Sequence, residues 1–420
     1  MDATQARKYY GKTKYACYAT NITMAAVGCI SALLFLTFRE IYGISYTLLG
    51  LLVVINFSTQ LLVDLIFSLF SKHFNITLTV RITPLISFIG MLIYAIMPMV
   101  FPDSAYAWLA VGTIVFSVSS GLSEVLISPV IASIPAENPE REMSKLHSIY
   151  AWGVVGVVIV SAVFLELAGN KNWSYLALAL AVIPLSAFIL FMQSPMPKMD
   201  SGEENAKGKA PLRLSPALII CVACIFLGGA AECAMTQWCS SFVESALALP
   251  KIYGDIFGMA LFAALLGLGR SLYAKYGKNI SRILTLGMGG AVVCYLVASL
   301  ALHPIVALLG CVLTGLCVSM LWPGSLILME EKIPNAGVGA YALMAAGGDL
   351  GASVAPQLVG VITDAFSESG MGKSIAAALS ISTEQVGMRA GILLSALFPL
   401  AGFMLMLFVL KWNRKQSTKL

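Results

Sequence analysis

Apolar residues in this chain come in long runs, and polar residues are largely confined to the short stretches between them. Each run reaches about 20 residues, the length at which an α-helix crosses a hydrocarbon core about 30 Å thick. The pattern predicts twelve such helices, at about 15–38, 46–71, 76–101, 106–134, 143–168, 173–193, 215–246, 252–273, 281–301, 304–332, 337–365 and 389–411. A bilayer core offers no water to backbone N–H and C=O groups, so only helices and closed barrels span it. Long apolar blocks with short charged punctuation fit helices and not the alternating strands of a barrel. The expected fold class is an all-α membrane protein with twelve transmembrane helices.

One stretch breaks the rhythm. Ser194–Arg213 reads SPMPKMDSGEENAKGKAPLR, a composition that cannot bury a core and suits a flexible cytoplasmic linker. It divides the chain into an N-terminal six-helix bundle (1–193), the linker (194–213) and a C-terminal six-helix bundle (214–420). The two parts repeat one another. SLFSKHFNI (Ser68–Ile76) follows the second span and SLYAKYGKNI (Ser271–Ile280) the eighth. Ile134-Pro135 and Ile333-Pro334 follow the fourth and tenth. Glycines three apart open the fifth and eleventh, Gly153 and Gly156 in one, Gly348 and Gly351 in the other. Matches in one order predict two pseudo-symmetric bundles built from a parallel repeat.

Composition agrees: 59% of the residues are hydrophobic and 11% charged, where a soluble chain carries about 25% charged residues. With the N-terminus in the cytoplasm, every Lys and Arg lies on the inner side except Arg39, Lys171, Lys251, Lys373 and Arg389. That asymmetry fixes the expected orientation, with both termini cytoplasmic in a multi-pass protein of the bacterial cytoplasmic (inner) membrane. The first 14 residues are polar and carry Arg7, Lys8, Lys12 and Lys14, which argues against a cleavable signal. The net charge of +5 follows from this placement and does not point to nucleic acid. Nine cysteines sit almost wholly inside apolar runs, so the Cys221/Cys224 pair reads as packing. Three histidines (His73, His147, His303) without metal-ligand spacing, and no phosphate-binding loop, argue against an enzyme, a metal or cofactor, and ATP as energy source.

Candidate chemistry lies in the few polar groups inside the runs. Glu124, in GLSEVLISP, is the only charge of its span. A carboxylate at bilayer depth costs about 2.5 kcal/mol or more and is rarely kept without a task. It is a candidate solute acceptor and coupling carboxylate. The second such acid is Glu232, in GGAAECAMTQW, where Gly228 and Gly229 are expected to permit a helix break. Asn56, Gln60 and Asp64 recur every four residues and make one polar stripe on the second span. Asn56 and Gln60 read as solute contacts, and Asp64, nearer the cytoplasm, as a partner for a basic gating group. Gln237 and Trp238, with Trp322 and Tyr150, supply the rings and amides that a sugar-like solute needs. Trp108 and Trp173 read as packing or interfacial residues. His147 is either a proton relay or a polar cap. Arg270, Lys275 and Asp349 are candidate gate residues, Asp349 having a site reading as well. The matching frame in the second half, GLCVSMLWP, holds Trp322 and no carboxylate, which predicts unlike contents on a duplicated scaffold.

On these residues the chain resembles the major facilitator superfamily along essentially its whole length. The basic loops after spans 2 and 8, with Lys72 and Lys275, stand where that superfamily carries a glycine–aspartate–arginine signature. Within it, the chain is similar to the fucose–galactose–glucose:proton symporter group. The likeness rests on Glu124, Leu146-His147-Ser148 with Trp152-Gly153, Gly229 to Trp238, Trp322-Pro323-Gly324, and Gly348-Asp349-Leu350-Gly351 with Pro356. It also resembles a set of bacterial transporters with QLLVDLIF, then SEVLISP and later WPG. In the fucose symporters a helix-1 aspartate and the helix-4 glutamate handle proton and sugar. Glu124 matches the latter, the former falls near Ala32, and Glu232 is the candidate to stand in. The resemblance implies a secondary transporter of a small polar solute, sugar-like, moved with a proton by alternating access, a mechanism for which a monomer is sufficient. The solute is expected between spans 1, 4 and 5 of one half and 7, 10 and 11 of the other. Sodium coupling, through Glu124, Asp349 and backbone carbonyls, stays open. So does the alternative of a drug or metabolite exporter of the same fold.

Overall fold

A computed structural model of the protein describes Gln5 and residues 9–70, 73–136, 139–197, 215–333 and 337–417. Lys72 and most of the expected linker, 198–213, lie outside the described residues. Among the described residues the chain is helical, with no strand. The helices are α1 (Gly11–Tyr42), α2 (Tyr46–Phe70), α3 (Ile76–Val100), α4 (Ala105–Ala132), α5 (Pro139–Ala168) and α6 (Trp173–Met192). They continue with α7 (Pro216–Ser241), α8 (Leu261–Tyr276), α9 (Ile280–Leu300), α10 (Pro304–Val318) and α11 (Leu321–Lys332). The last are α12 (Gly337–Glu368), α13 (Gly370–Leu379), α14 (Thr383–Ser395) and α15 (Leu397–Ser417). Joined where they run on, eleven of the segments are long and apolar enough to cross a membrane. The twelfth, α12, has 32 residues, about 48 Å of helix at 1.5 Å per residue, but carries Asp349, Gln357 and Asp364.

The structure adds detail that the hydrophobic pattern does not carry. Span 7 ends in a π-helical turn, Phe242–Ala246, and span 8 begins with another, Gly254–Ala260. Span 10 is two helices, α10 and α11, interrupted at Ser319–Met320. The last span starts at Thr383, so Arg389, expected outside the membrane, lies within α14. There its guanidinium donates to the carbonyls of Ser299, Ala301 and Ala246. The short α13 was not foreseen.

By contacts the chain forms two units: Met1–Ile44 with Ile55–Lys207, and Ser45–Val54 with Gly208–Leu420. The first ten residues of this second group are the start of α2 and the residue before it.

In the first unit, close helix contacts are made where glycine removes a side chain. A Cβ on Gly90 of α3 would stand 2.5 Å from the backbone nitrogen of Phe116, and one on Gly112 of α4 2.7–2.8 Å from Tyr94. Between helices in lipid such small residues let backbones approach and dispersion contacts accumulate. α1 and α5 meet through Gly153, which faces Ile22 and Ala25, and through Asn21, whose Nδ2 donates to the Leu146 carbonyl at 3.0 Å. At one end Lys14 Nζ sits 3.1 Å from Glu142 Oε2, and the Tyr18 hydroxyl donates to the same oxygen. The start of the expected linker is held here too: Thr13 donates to the Pro195 carbonyl and Arg81 to that of Ser194.

The repeated loops have a shared physical role. Asn75 accepts from the Leu78 N–H and Asn279 from the Arg282 N–H, so each Asn-Ile match marks an N-cap, of α3 and α9. In the second unit, Asp364 of α12 accepts from the Tyr46 and Thr47 N–H groups at 3.2 and 2.7 Å. A distant carboxylate thereby satisfies donors that a helix start leaves without partners and offsets its positive end. Gly360 leaves room for the Tyr46 carbonyl, and the Tyr46 hydroxyl donates to Glu384.

Two outcomes follow. Gly112→Val should lose about 1–3 kcal/mol by overpacking against Tyr94, read as a lower unfolding temperature in detergent. Gly156→Ala, with nothing within 4 Å of the new methyl, should not. Burial pushes the Glu142 carboxyl up, but Lys14, by hydrogen bond and charge, and Lys145 outweigh it, so Glu142 titrates below the usual carboxylate range. Its ion pair therefore stabilises the fold above the unfolded-state pKa of about 4.3 and is lost as pH falls through the lower folded value. Glu142→Gln should cost up to about 1 kcal/mol at pH 7, and the difference from wild type should vanish in acid.

Candidate functional site

In the first unit, polar side chains collect on one face of α4. Thr113, Ser117, Ser120, Glu124 and Ser128 follow one another at helical spacing, away from the exposed Val111 and Ile114. Thr113, Ser117 and Ser120 are buried. Glu124, on that same face, is exposed and has no hydrogen bond or ion pair among the described residues. A charge that is exposed on the polar side of a membrane helix faces space that water or solute can enter, since facing lipid would be costly.

Beside it, α2 contributes Asn56 and Gln60. Asn56 Oδ1 accepts from Ser117 Oγ at 2.5 Å and from Gln60 Nε2 at 3.1 Å. The two helices can approach because Gly121, one turn before Glu124, offers no side chain to Val63 and the Gln60 carbonyl; a Cβ there would stand 3.0–3.1 Å from them. Asp64 continues the stripe, half-buried, one turn past Gln60. Tyr150 of α5 is 37% exposed, and its hydroxyl comes within 3.8 Å of where a Gly28 Cβ would be. His147 lies on α5 one turn before Tyr150; its side chain is outside the described residues. Sequence reasoning missed Ser117, which holds Asn56 in place and looks like any small residue in an apolar run.

In the second unit the centre is Glu232 of α7. Its Oε1 lies 3.4 Å from Arg270 Nη2 of α8, and its Oε2 is buried without a hydrogen-bond partner among the described residues. The Arg270 Nε donates to the Ser319 carbonyl at 3.1 Å. Arg270, expected as a gate residue, thus has its guanidinium on Glu232 and on the interruption between α10 and α11. Lys275, also expected as a gate residue, is exposed, with its Nζ 5.0 Å from the centre of the adjacent Tyr276 ring. Asp349 is buried on α12, and together with Glu232 and Arg270 it is within electrostatic reach of Cys233.

Two expectations change. Gly228 and Gly229 do not break α7, which runs through them without interruption. They are needed for approach: a Cβ on Gly228 would stand 2.8 Å from Leu321, and one on Gly229 2.8 Å from the Gly348 carbonyl and 3.0 Å from the Trp322 ring. The half-buried Trp322 ring lies against both Gly229 and Gly348, so the glycine pairs form its seat. Trp238, expected as a stacking surface for solute, is fully buried. Its Nε1–H donates to the Pro356 carbonyl at 2.9 Å and its ring packs on Tyr46 at 5.8 Å between centroids. Trp238 belongs to the packing. Gln237 beside it is buried.

A helical chain with eleven segments among the described residues long and apolar enough to cross a membrane, and with carboxylates on polar helix faces, has the form of a membrane carrier. The sequence profile of the Major Facilitator Superfamily matches residues 16–356. The chain belongs to the major facilitator superfamily. It is a multi-pass membrane transporter and not an enzyme. No curated protein matches its sequence. Solved transporters of this superfamily share its fold. A bacterial homolog of the human lysosomal transporter Spinster, in an inward-facing and occupied conformation, has a TM-score of 0.73 at 14% identity, over 96% of this chain and 97% of its own. A D-xylose-proton symporter has a TM-score of 0.72 at 15% identity, over 93% and 97%. The nucleoside transporter NupG has a TM-score of 0.70 at 11% identity, over 93% and 99%. At these identities the likeness concerns the fold.

Trp238→Phe tests the packing role. Losing the indole N–H leaves the Pro356 carbonyl with one donor fewer and should cost about 1 kcal/mol of stability. Solute affinity, measured by binding at a temperature where the variant is folded, should stay at the wild-type value.

Proposed function

We propose that this superfamily member is a secondary active transporter of a small polar solute of sugar-like chemistry, moved by alternating access in symport with a proton. The observation that carries the reading is the exposed Glu124, without a hydrogen bond or ion pair among the described residues, beside the amide and hydroxyl network of Asn56, Gln60 and Ser117. A sugar presents many hydroxyls, and a carboxylate with flanking amides can accept from and donate to adjacent ones. The partly exposed Tyr150 ring of the same unit suits an apolar face of a sugar. In this reading Glu124 is also the protonatable group: the protonated and ionised forms differ in their affinity for solute, and that difference biases the conformational equilibrium. The resemblance of span 4 to the fucose–galactose–glucose:proton symporters supports the assignment, as does the shared fold with a D-xylose-proton symporter. Residues 1–193 and 214–420 are the two six-helix halves of the repeat, and the protein works as a monomer in a bacterial inner membrane with both termini cytoplasmic.

The first test is a thermal-shift screen of purified protein against hexoses, deoxy-sugars, polyols, uronic acids, nucleosides and lipophilic cations. A solute at a hundred times its dissociation constant stabilises the folded state by about 2.7 kcal/mol. A stereoselective response to one sugar class is expected; a response to lipophilic cations alone would replace the importer with an exporter. In vesicles, Glu124→Gln should abolish accumulation driven by a proton gradient while leaving solute exchange measurable. Loss of all solute binding in that variant would instead make Glu124 a ligand group without a coupling role.

A further inference from the structure

The interruption of span 10 has a chemical consequence in the second unit. Pro323 has no N–H, so the carbonyl four residues earlier, that of Ser319, lacks its helical donor. In a bilayer core that carbonyl must find another donor. It finds Arg270: Nε donates to Ser319 at 3.1 Å. The approach of α8 to this point requires Gly269, whose missing Cβ would collide with the Ser319 side chain. Anchored there, the guanidinium turns Nη2 toward Glu232 Oε1 at 3.4 Å. Glu232 Oε2 has no donor among the described residues. The Arg270 side chain is 39% exposed and that of Glu232 17%, so the pair is reached from outside the packing through Arg270, while Oε2 itself is buried.

Resting on the reading above, we propose that Arg270, positioned by the carbonyl that Pro323 leaves free, is a specificity-determining residue of the second unit. Its charge offsets that of Glu232, so the pair carries no net charge and favours an uncharged solute over an amine. Without Arg270 the same carboxylate would be a site for an amine. Pro323, Ser319 and Gly269 act through Arg270 and are positioning residues.

Cys233, the residue after Glu232, is a native reporter that needs no solute. It is half-buried and lies within electrostatic reach of Glu232, Arg270 and Asp349. Methanethiosulfonate reagents bearing a trimethylammonium or a sulfonate group form a mixed disulfide with its thiol and release methanesulfinate. The ratio of the two rates, read on the Cys233 peptide by mass spectrometry, reports local charge. Arg270→Gln should raise the cation-to-anion ratio about tenfold or more, because one positive charge acts oppositely on the two reagents. Arg270→Lys, which keeps the charge, should stay near wild type. Pro323→Ala returns an N–H to the Ser319 carbonyl and frees Arg270, and should move the ratio the same way as Arg270→Gln by a smaller factor. An unchanged ratio in Arg270→Gln or an unchanged ratio in Pro323→Ala would each overturn the proposal.

Glucose and glucosamine then test selectivity by thermal shift. Arg270→Gln should shift the preference toward the amine by about tenfold, the factor expected when a nearby carboxylate loses its counter-charge. An equal loss for both sugars would overturn the specificity role. A wild-type protein that responds to no sugar in the screen would count against the proposed function, while the reagent ratio would still decide the role of Arg270.

Discussion

A backbone carbonyl in a membrane has no water to turn to. Most of this architecture follows from that constraint, because a helix satisfies its own polar groups and every departure from helix must be repaired by a side chain. The repairs are visible. Asn75, Asn279, Ser215 and Ser382 cap helix starts. Asp364 does the same from another helix for the start of α2. Arg389 draws together three carbonyls near the ends of two spans, and Arg270 serves the carbonyl freed by Pro323. Arginine suits this work because its planar, always-charged fork can donate in several directions at once.

The second constraint is contact distance. Apolar side chains gain little by leaving lipid for one another, so helix pairs are held by close packing, and glycine makes the packing close. Gly90 and Gly112 do this for α3 and α4, Gly310 for α9 and α10, and Gly228, Gly229, Gly347 and Gly348 for the helices around Trp322. Glycine pairs that look like points of flexibility in the sequence are here points of approach. The same demand puts Gly121 near Glu124 and Gly269 next to Arg270, so the polar centres of both units sit at close helix contacts.

The two units carry different chemistry on a repeated frame. In the first, an exposed carboxylate without a partner among the described residues stands beside an amide network. In the second, one carboxylate oxygen meets a guanidinium and the other is buried without a donor among the described residues. Asn75 and Asn279 each cap the helix that follows one of the two matching loops. The contents differ: an amide network beside Glu124 in one unit, a guanidinium beside Glu232 in the other.

The sequence by itself determined the number and approximate limits of the membrane helices, because the apolar run length needed to cross a bilayer is fixed by its thickness. The family was legible too, through repeated loops and motifs spread over the whole chain. The stripe of Asn56 and Gln60 could be read from its spacing, and Glu124 from its solitude. Tertiary structure decided what no spacing encodes: which helix lies across from which. Only then do Ser117 behind Asn56, the Ser319 carbonyl in front of Arg270, and the Pro356 carbonyl that removes Trp238 from the accessible surface come into view. Helical periodicity assigns a residue to a face; the neighbour that the face meets depends on contacts between residues distant in the chain, such as Trp238 with Pro356 and Tyr46 with Asp364.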